Sequence, residues 1–274
     1  MRNLPLALRA VILLFSSLLA LPSMAADALV LGVQDYSLSP RLISLQFRDM
    51  ANYLTRKLGQ PVIVEPVQSY ARYMDRAKQK RYAFMYGPPS MAMEANALAG
   101  YEPVAKIPGL LSAAFMSSAD GDIAFPEDMK GKRIGFTDED SMVTQLALAD
   151  LRSKHIDPAK YFKSVAYYHD VDGIATAFKY KLIDVGVANT GVLTLWNNNG
   201  MDLNLIMQSK GVPHLTFAVR GDLPDEIKQA VAQALTGADK DKEAQSYFRN
   251  TGFSSFEIAS LADYKDMLKL LNIR

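Results

Sequence analysis

The stretch YGPPSM at residues 86–91 is the first part of the sequence whose residue types could bind a ligand. It follows an apolar run and leads into a segment with helical spacing. Gly87 allows a close approach of the backbone, and Pro89 suits the first turn of a helix, where its missing N–H is no loss. Free N–H groups at a helix start bind anions. The sequence therefore predicts a ligand-facing elbow at residues 86–90, although a plain strand-to-helix connection would use the same residues.

A second candidate is the segment DEDSMVT at residues 138–144. Ser141 can cap the helix that follows and can also offer its hydroxyl to a ligand. The neighbouring carboxylates of residues 138–140 are in a loop before this helix, where they complement the helix dipole. We find no Gly-x-Ser-x-Gly motif, no His-Glu-x-x-His motif and no phosphate-binding loop. The sequence therefore predicts no enzyme activity.

The three histidines do not indicate a metal site. His169 and Asp170 are neighbours that could face a ligand or form a solvated turn. A metal site would need two or three further ligands at suitable spacing, and the chain has no cysteine to supply them. His155 and His214 carry no functional signal, and Trp196 is expected to pack within a lobe. We predict neither a metal nor a cofactor.

Length and composition limit the class of protein. The chain has 274 residues, of which 49% are hydrophobic and 22% are charged. This is enough for a sizeable core and exceeds the length of about 150 residues usual for one domain. The formal net charge of +1, without any run of Lys and Arg, argues against nucleic acid as a partner. Without cysteine there is no disulfide, so the fold must depend on packing.

Apolar strands alternate with helices from residue 28 onward. The first predicted strand covers residues 28–33, and the next helix carries an apolar stripe at steps of 4, 3, 4 and 4 (Ile43, Phe47, Met50, Leu54 and Leu58). The same alternation continues to residue 107 and begins again at residue 132. Strands that alternate with helices of 10 to 15 residues predict right-handed βαβ units and a mainly parallel sheet. The fold class is therefore α/β, with helices flanking the sheets.

Two further β-prone runs, residues 111–119 and 211–220, separate the two alternating regions. If both runs cross between lobes, the chain leaves the first lobe, builds the second and returns to finish the first. We therefore predict a two-lobed protein with a hinge of two crossings. Lobe I would contain residues 26–111 and 217–274, and lobe II would contain residues 112–216.

The first 25 residues predict a cleaved secretory signal peptide. Arg2 and Arg9 precede an uncharged apolar run at residues 10–21, and Ser23 and Ala25 are small residues at the −3 and −1 positions. The run is shorter than the roughly 20 residues that span a bilayer. A buried N-terminal helix is the alternative. The prediction is a mature protein that starts near Ala26, is soluble and lies in the periplasm.

Taken together, the chain resembles the phosphate/phosphite/phosphonate-type substrate-binding proteins of ABC importers, a branch of the type 2 periplasmic binding proteins. The matching residues, in chain order, are Leu31-Gly32-Val33, Tyr53-Leu54, Leu58-Gly59, Pro61-Val62, Ser69-Tyr70, residues 84–90, residues 129–136, His169-Asp170, residues 183–186 and residues 220–224. Their order and spacing carry the resemblance, because no single match is specific. The resemblance covers most of the mature chain.

The resemblance implies a site between the lobes. Its first member is Tyr70, which takes the place of a ligand-contacting tyrosine. In the family the elbow is commonly followed by Ser-Tyr, but this chain has Ser90 and Met91. A Ser-Thr-Ser-Gly run commonly holds an oxyanion, but residues 141–144 read SMVT, so only the first hydroxyl keeps its place. The predicted ligand-binding set is Tyr36, Tyr70, Tyr86, Gly87, Ser90, Met91, Ser141, Thr144, His169 and Asn189.

The resemblance implies a monomeric protein that captures a small molecule by hinge closure and delivers it to a membrane permease. The same fold could instead sense a ligand for a membrane histidine kinase or cyclase, and the sequence does not separate these roles. The replaced hydroxyls and the acidic residues 138–140 argue against a phosphonate dianion. We predict a less charged, partly apolar ligand.

Overall fold

The computed structural model describes residues 27–35 and 38–273. The predicted signal peptide at residues 1–25 and the predicted site residue Tyr36 lie outside the described residues.

Strands and helices alternate along the described chain as the sequence predicts. The strands are β1 Leu29–Gln34, β2 Val62–Val67, β3 Phe84–Gly87, β4 Tyr101–Lys106, β5 Leu110–Leu111, β6 Ala113–Ser118, β7 Arg133–Phe136, β8 Ser164–Tyr167, β9 Val185–Asn189, β10 Leu203–Gln208, β11 Val212–Pro213, β12 Thr216–Arg220 and β13 Glu257–Ile258. The α-helices are α1 Pro40–Leu58, α2 Tyr70–Lys78, α3 Pro89–Ala99, α4 Met142–Ser153, α5 Pro158–Tyr161, α6 Val171–Lys179, α7 Thr190–Asn198, α8 Asp225–Thr236, α9 Gln245–Thr251 and α10 Lys265–Leu271. Short 3₁₀ helices cover Pro126–Met129, Ala238–Lys240 and Leu261–Tyr264.

The sheet of lobe I has the strand order β13-β4-β12-β3-β1-β2. Strand β1 pairs in parallel with β2 and β3. Strand β12 is antiparallel to both β3 and β4, so β3 and β4 point in the same direction. Strand β13 is antiparallel to β4 at the sheet edge. Within the described residues, four of the six strands therefore share one direction, and the mainly parallel sheet is confirmed.

The sheet of lobe II has the order β10-β6-β9-β7-β8. Strands β7, β8 and β9 are parallel to one another. Strand β6 lies antiparallel between β9 and β10. This arrangement places the first strand of the lobe in its interior. Strand β10 was not among the strands that the sequence predicts.

Two crossings connect the lobes, and they pair with each other. The crossing strands β5 and β11 form a two-stranded antiparallel ribbon in which Leu111 pairs with Val212 and Leu110 with Pro213. The first crossing leaves the carboxyl end of β4 and enters β6 beside the carboxyl end of β9, because Ala113 pairs with Asn189. The second crossing runs from the end of β10 to the start of β12. The carboxyl edges of both sheets therefore lie next to the hinge.

The longest helix forms where the apolar stripe predicts it. In α1, Ile43, Phe47, Met50 and Leu54 are buried, and the Ser39 hydroxyl accepts a hydrogen bond from the Leu42 N–H at the helix start. Gly59 ends the helix with a φ of 64°, a left-handed conformation that glycine adopts without steric cost. Leu58, the last residue of the predicted stripe, is only partly buried, so the sequence predicts the helix, its end and four of the five stripe positions.

The described residues form three buried apolar clusters, one within each lobe and one shared by both lobes. The lobe I cluster contains Phe47 and Tyr86, and the lobe II cluster contains Ile174 and the predicted packing residue Trp196. A third cluster is shared by both lobes, because it contains Met91 from α3 and Met142 from α4, among other residues. We call it the shared cluster. Helix α10 packs against α4 and strand β11, so the C-terminal segment also contacts lobe II and the hinge.

None of the helices in the part of the chain that the structure describes is long and apolar enough to cross a membrane.

Candidate ligand-binding site

The carboxyl edges of the two sheets meet at the hinge and present three helix starts there. Helices α2 and α3 begin after β2 and β3 in lobe I, and α4 begins after β7 in lobe II. In parallel α/β sheets, ligands bind beyond the carboxyl ends of the strands, where unpaired N–H groups point outward. The candidate site is therefore the space between these helix starts.

Ser141 and Thr144 belong to a network of three hydroxyl groups at the start of α4. The Ser141 hydroxyl caps the helix by accepting a hydrogen bond from the Thr144 N–H at 3.2 Å. It also lies 2.6 Å from the Thr137 hydroxyl and 3.0 Å from the Thr144 hydroxyl. Thr144 is fully buried, and its hydroxyl donates to the Thr137 carbonyl oxygen. The network holds the loop before α4 in place, and Ser141 is its partly exposed member.

The acidic loop before α4 is built as a turn. The Asp138 carboxylate accepts a hydrogen bond from the Asp140 N–H at 2.9 Å, and the Asp138 carbonyl accepts one from the Ser141 N–H. These bonds fix Asp138 beside the helix start, where its charge interacts favourably with the helix dipole. The same negative charge disfavours an anionic ligand at this wall of the site.

The predicted elbow in lobe I divides into exposed and buried parts. A β-carbon at Gly87 would lie 3.5 Å from the Gln34 β-carbon, which is an ordinary contact. Glycine is therefore not required at this position by the surrounding protein. Ser90 is partly exposed, and within the described residues its hydroxyl has no hydrogen-bond partner. Met91, a predicted ligand-binding residue, is 2% exposed and lies in the shared cluster, so the structure places its side chain in the core behind the helix start.

Tyr70 lies at the start of α2 and is held by an acidic residue. Its hydroxyl donates a hydrogen bond to the Glu94 carboxylate of α3. Burial, the hydrogen bond to Glu94 and the charges of Glu94 and Asp140 together raise the pKa of the Tyr70 hydroxyl well above its usual range. Tyr70 in lobe I and Ser141 in lobe II each lie at a helix start beyond the carboxyl end of a strand.

Tyr86 does not join this group. Its ring is 4% exposed and packs in the lobe I cluster against Phe47, and its hydroxyl lies 2.8 Å from the Tyr247 hydroxyl. Burial is the main cause that raises the pKa of Tyr86 far above its usual range, and the neighbouring Tyr247 hydroxyl raises it further. Tyr86 and Gly87 are consecutive strand residues, so their side-chain directions point to opposite faces of the sheet. The structure therefore places the Tyr86 ring in the core rather than beside Ser90.

His169 and Asn189 lie at the carboxyl edge of the lobe II sheet. Asn189 ends β9 and caps α7 by accepting a hydrogen bond from the Val192 N–H at 3.0 Å. His169 follows β8, and its side chain is 75% exposed, with Nδ1 3.7 Å from the Asp170 carboxylate. Asp170 caps α6 through the Gly173 N–H. Asn189 is near the hinge, whereas His169 lies on the loop after the edge strand β8.

Three residues near the site were not in the predicted set. Thr137 completes the hydroxyl network, Glu94 holds Tyr70, and Gln34 ends β1 beside Gly87. Ser90 and Glu94 are four residues apart on α3, which places them on one helix face, so helical spacing could have indicated Glu94. The positions of Thr137 and Gln34 depend on the ends of strands, which sequence patterns locate poorly.

A separate cavity of about 630 Å³ lies in lobe II away from these residues. It is lined by Arg133 and Asp184, which pair through two hydrogen bonds from the guanidinium, and by Phe178. Arg133 starts β7, so this cavity is at the opposite sheet edge from Ser141. In the described part of the chain, no group of three or more His, Asp or Glu residues could hold a metal ion.

The protein has two mainly parallel α/β lobes, which are joined by two crossings and face each other with their carboxyl edges. These features define a two-lobed periplasmic binding protein. A sequence model of one family matches residues 37–264, and its description is "ABC transporter, phosphonate, periplasmic substrate-binding protein". The chain belongs to this family. It is therefore the substrate-binding component of an ABC importer, and it is not an enzyme. Such a protein works in the periplasm with a small-molecule ligand and a membrane permease.

Solved structures share this fold at low sequence identity. A binding protein component of an ABC phosphonate transporter from Pseudomonas aeruginosa is 19% identical, with a TM-score of 0.72 over 89% of this chain and 85% of that chain. PhnD1 from Prochlorococcus marinus in complex with methylphosphonate is 18% identical, with a TM-score of 0.74 over 89% and 97%. A Xanthomonas citri protein bound to ATP is 15% identical, with a TM-score of 0.72 over 90% and 96%. A search of curated proteins finds no match.

Proposed function

We propose that this protein captures a small molecule that carries less negative charge than a phosphonate dianion and is partly apolar. Capture takes place in the space between the lobes, and the lobes close on the ligand about the paired crossings near residues 112–117 and 209–217. Lobe I contains residues 26–111 and 217–274 in this proposal, and lobe II contains residues 112–216. The captured molecule is then delivered to the membrane permease.

The apolar packing immediately behind two helix starts, those of α3 and α4, carries this proposal. Met91 and Met142 are 2% and 4% exposed, and both belong to the shared cluster. Thioether side chains cannot donate hydrogen bonds, whereas a dianion needs several donors to replace its water. Each buried polar contact left unmade costs about 1–3 kcal/mol.

The charges at the site support the same ligand class. Glu94 lies beside Tyr70 on one side, and Asp140 acts on the same hydroxyl from the other lobe. Within the described residues, Glu94 has no basic partner within 4.0 Å. The donors that remain are the Ser141 and Ser90 hydroxyls and the N–H groups at the helix starts. They suffice for one carboxylate or another weakly charged group.

Two experiments test the proposal. The protein is purified natively from a periplasmic extract and denatured, and the released small molecules are identified by mass spectrometry. A stoichiometric small molecule supports capture, and a protein that never carries or binds one contradicts it.

Calorimetric titration with phosphate, phosphite, methylphosphonate and aminoethylphosphonate tests the ligand class. Affinity in the micromolar range or tighter for any of these four anions would refute the reduced negative charge.

The mature protein in this proposal is a monomer that starts near Ala26. Its intact mass, measured on the periplasmic extract, is expected to lack residues 1–25. A full-length, membrane-associated product would contradict the cleavage.

A further inference from the structure

Gln34 is a buried polar side chain at the floor of the candidate site. It is the last residue of β1 and is 4% exposed. Its direction follows from strand alternation, because residues 30, 32 and 34 share one face of the sheet. A β-carbon on Gly32 would lie 2.7 Å from the Tyr82 ring, and the β-carbon position of Gly87 lies 3.5 Å from the Gln34 β-carbon. Gln34 therefore lies on the sheet face that α2 and α3 cover, at the end where both helices begin.

The amide of Gln34 is not satisfied by the protein. Its Nε2 group is buried and has no hydrogen-bond partner among the described residues. A buried donor without a partner is costly, and native proteins keep such groups rarely and for a reason. The Ser90 N–H at the nearby start of α3 is also a donor, because Pro89 has no N–H and the N–H groups of Met91 and Ala92 bond to the Pro88 carbonyl. This corner of the site is therefore suited to a ligand atom that accepts hydrogen bonds.

A second group of opposite character lies one helical turn further along α3. Glu94 is on the same helix face as Ser90, because the two residues are four positions apart. Its carboxylate is held by the Tyr70 hydroxyl and has no basic partner in the described chain. Asp140 of lobe II adds negative charge at the same hydroxyl. This end of the site favours a positive group.

We propose that Gln34 anchors the carboxylate of a small amino-carboxylate ligand, while Glu94 receives its ammonium group. This inference rests on the proposed capture function and names the ligand class for it. The Gln34 amide and the Ser90 N–H donate to the carboxylate oxygens. The zwitterion carries no net charge, which agrees with the acidic wall and the apolar methionines. Ser90 and Glu94 are neighbours on one helix face, about 5–6 Å apart, so a ligand with its two charges a few bonds apart fits better than a compact one.

The test uses four probes that differ in one group at a time. These are 4-aminobutanoate, butanoate without the ammonium, 3-aminopropylphosphonate with a dianionic head group, and glycine with its charges closer together. Calorimetry on the full mature protein is expected to give 4-aminobutanoate the highest affinity, by about 10-fold or more over the other three. Tighter binding of 3-aminopropylphosphonate would overturn the proposal.

Two substitutions separate the two ends of the site. Gln34→Met has a similar volume and no donor, and we expect it to weaken 4-aminobutanoate and butanoate about equally, by about 10-fold. Glu94→Gln should remove the advantage of 4-aminobutanoate over butanoate and leave butanoate binding in place. Unchanged binding in Gln34→Met would overturn the role of Gln34.

A stability measurement distinguishes an anchor from a structural residue. Gln34→Met removes an unsatisfied buried amide, so the ligand-free protein should melt about 2–4 °C higher. The matched control is Gln245→Met, because the Gln245 amide donates to the Asp239 carbonyl at 3.2 Å and its loss should not stabilise the protein. A melting temperature that falls in Gln34→Met would identify Gln34 as structural and overturn the proposal.

If no probe binds the wild-type protein, the amino-carboxylate class is wrong. Release of another small molecule from natively purified protein would then leave the capture function intact.

Discussion

At the scale of residues, the hydroxyl network at the start of α4 bonds largely within itself. The Thr137, Ser141 and Thr144 hydroxyls lie within 2.6–3.1 Å of one another. Such a network orders the helix start before a ligand arrives, and the two buried members gain nothing from contact with it. Only Ser141 is exposed enough to exchange a partner for a ligand atom. Thr144 therefore stabilises the helix start behind Ser141 and does not itself face the ligand space.

The network should contribute to stability through Thr144. Thr144→Val keeps the shape of the side chain but removes a hydroxyl that donates to the Thr137 carbonyl, leaving buried groups unpaired. We expect the free energy of unfolding to fall by about 1–3 kcal/mol in urea denaturation. Thr144→Ser keeps the hydroxyl and loses a methyl group, at a cost of about 1 kcal/mol. A valine variant as stable as the serine variant would show that the buried hydroxyl is dispensable.

His214 should make the stability depend on pH. Burial lowers its pKa below the ordinary value of 6.5, and its Nδ1 accepts a hydrogen bond from the Leu215 N–H at 2.8 Å. Below pH 6.5 the unfolded chain binds a proton that the folded protein resists, so stability present at higher pH is lost as the pH falls. The slope can reach about 1.4 kcal/mol per pH unit.

Urea unfolding at pH 7.5 and 5.5 measures this effect. His214→Gln should reduce the loss of stability between the two pH values. His169→Gln removes a histidine that is 75% exposed and should retain the loss seen in the wild-type protein. Equal pH dependence in all three proteins would contradict the role of His214.

The sequence predicts individual site residues unevenly, for a physical reason. Ser141 is predictable as a helix cap because a capping serine has a local signature before an apolar helix. Tyr86 is predicted to face the ligand because it belongs to the elbow at residues 86–90, but residues 82–86 are apolar throughout, so the sequence does not indicate which side chains face which side of the sheet. Strands buried on both faces lose the alternation that would reveal it. For the same reason, the sequence does not indicate that the Gln34 side chain lies on the sheet face covered by α2 and α3, opposite to the face that carries the Tyr86 ring.

At the scale of elements, helices were more predictable than strand order. The stripe and the terminal Gly59 define α1 from local residues alone. The sequence does not predict strand β10 because LNLIMQ is only partly buried and its pairing with β6 is set by tertiary contacts. The antiparallel insertion of β12 likewise depends on a crossing that sequence periodicity does not encode.

Gly221 should be intolerant of any side chain where β12 ends. A β-carbon there would lie 2.3 Å from the Gly100 carbonyl oxygen, a backbone atom that cannot rotate away. We expect Gly221→Ala to reduce the free energy of unfolding by about 1–3 kcal/mol or more. Gly87→Ala is the matched control, because its nearest contact would be at 3.5 Å. Similar melting temperatures for the two variants would contradict the close packing of β12 on the Gly100 turn.

At the scale of the whole molecule, the hinge predicts a change in distance between the lobes on binding. The chain has no cysteine, so Arg72→Cys in lobe I and Glu139→Cys in lobe II, both exposed, can be labelled cleanly. Energy transfer between the labels should increase when the small-molecule fraction released from natively purified protein is added, because hinge closure moves whole lobes. The control pair is Arg72→Cys with Lys242→Cys, both in lobe I, and it should not respond. An unchanged signal in the interlobe pair would contradict closure.

The position of β12 also has a consequence for the order in which the protein folds. All strands of the lobe II sheet lie between residues 113 and 208, whereas β12, at Thr216–Arg220, separates β3 from β4 in lobe I. The lobe I sheet is therefore complete only after β4 pairs with a segment more than a hundred residues downstream. Closing such a long loop costs more conformational entropy than pairing strands that are close in the sequence. In pulsed hydrogen exchange during refolding, amides of β7 and β9 should become protected before those of β3 and β4. Until β12 inserts, the edges of β3 and β4 are unpaired, and these are the strand edges through which a refolding chain would aggregate.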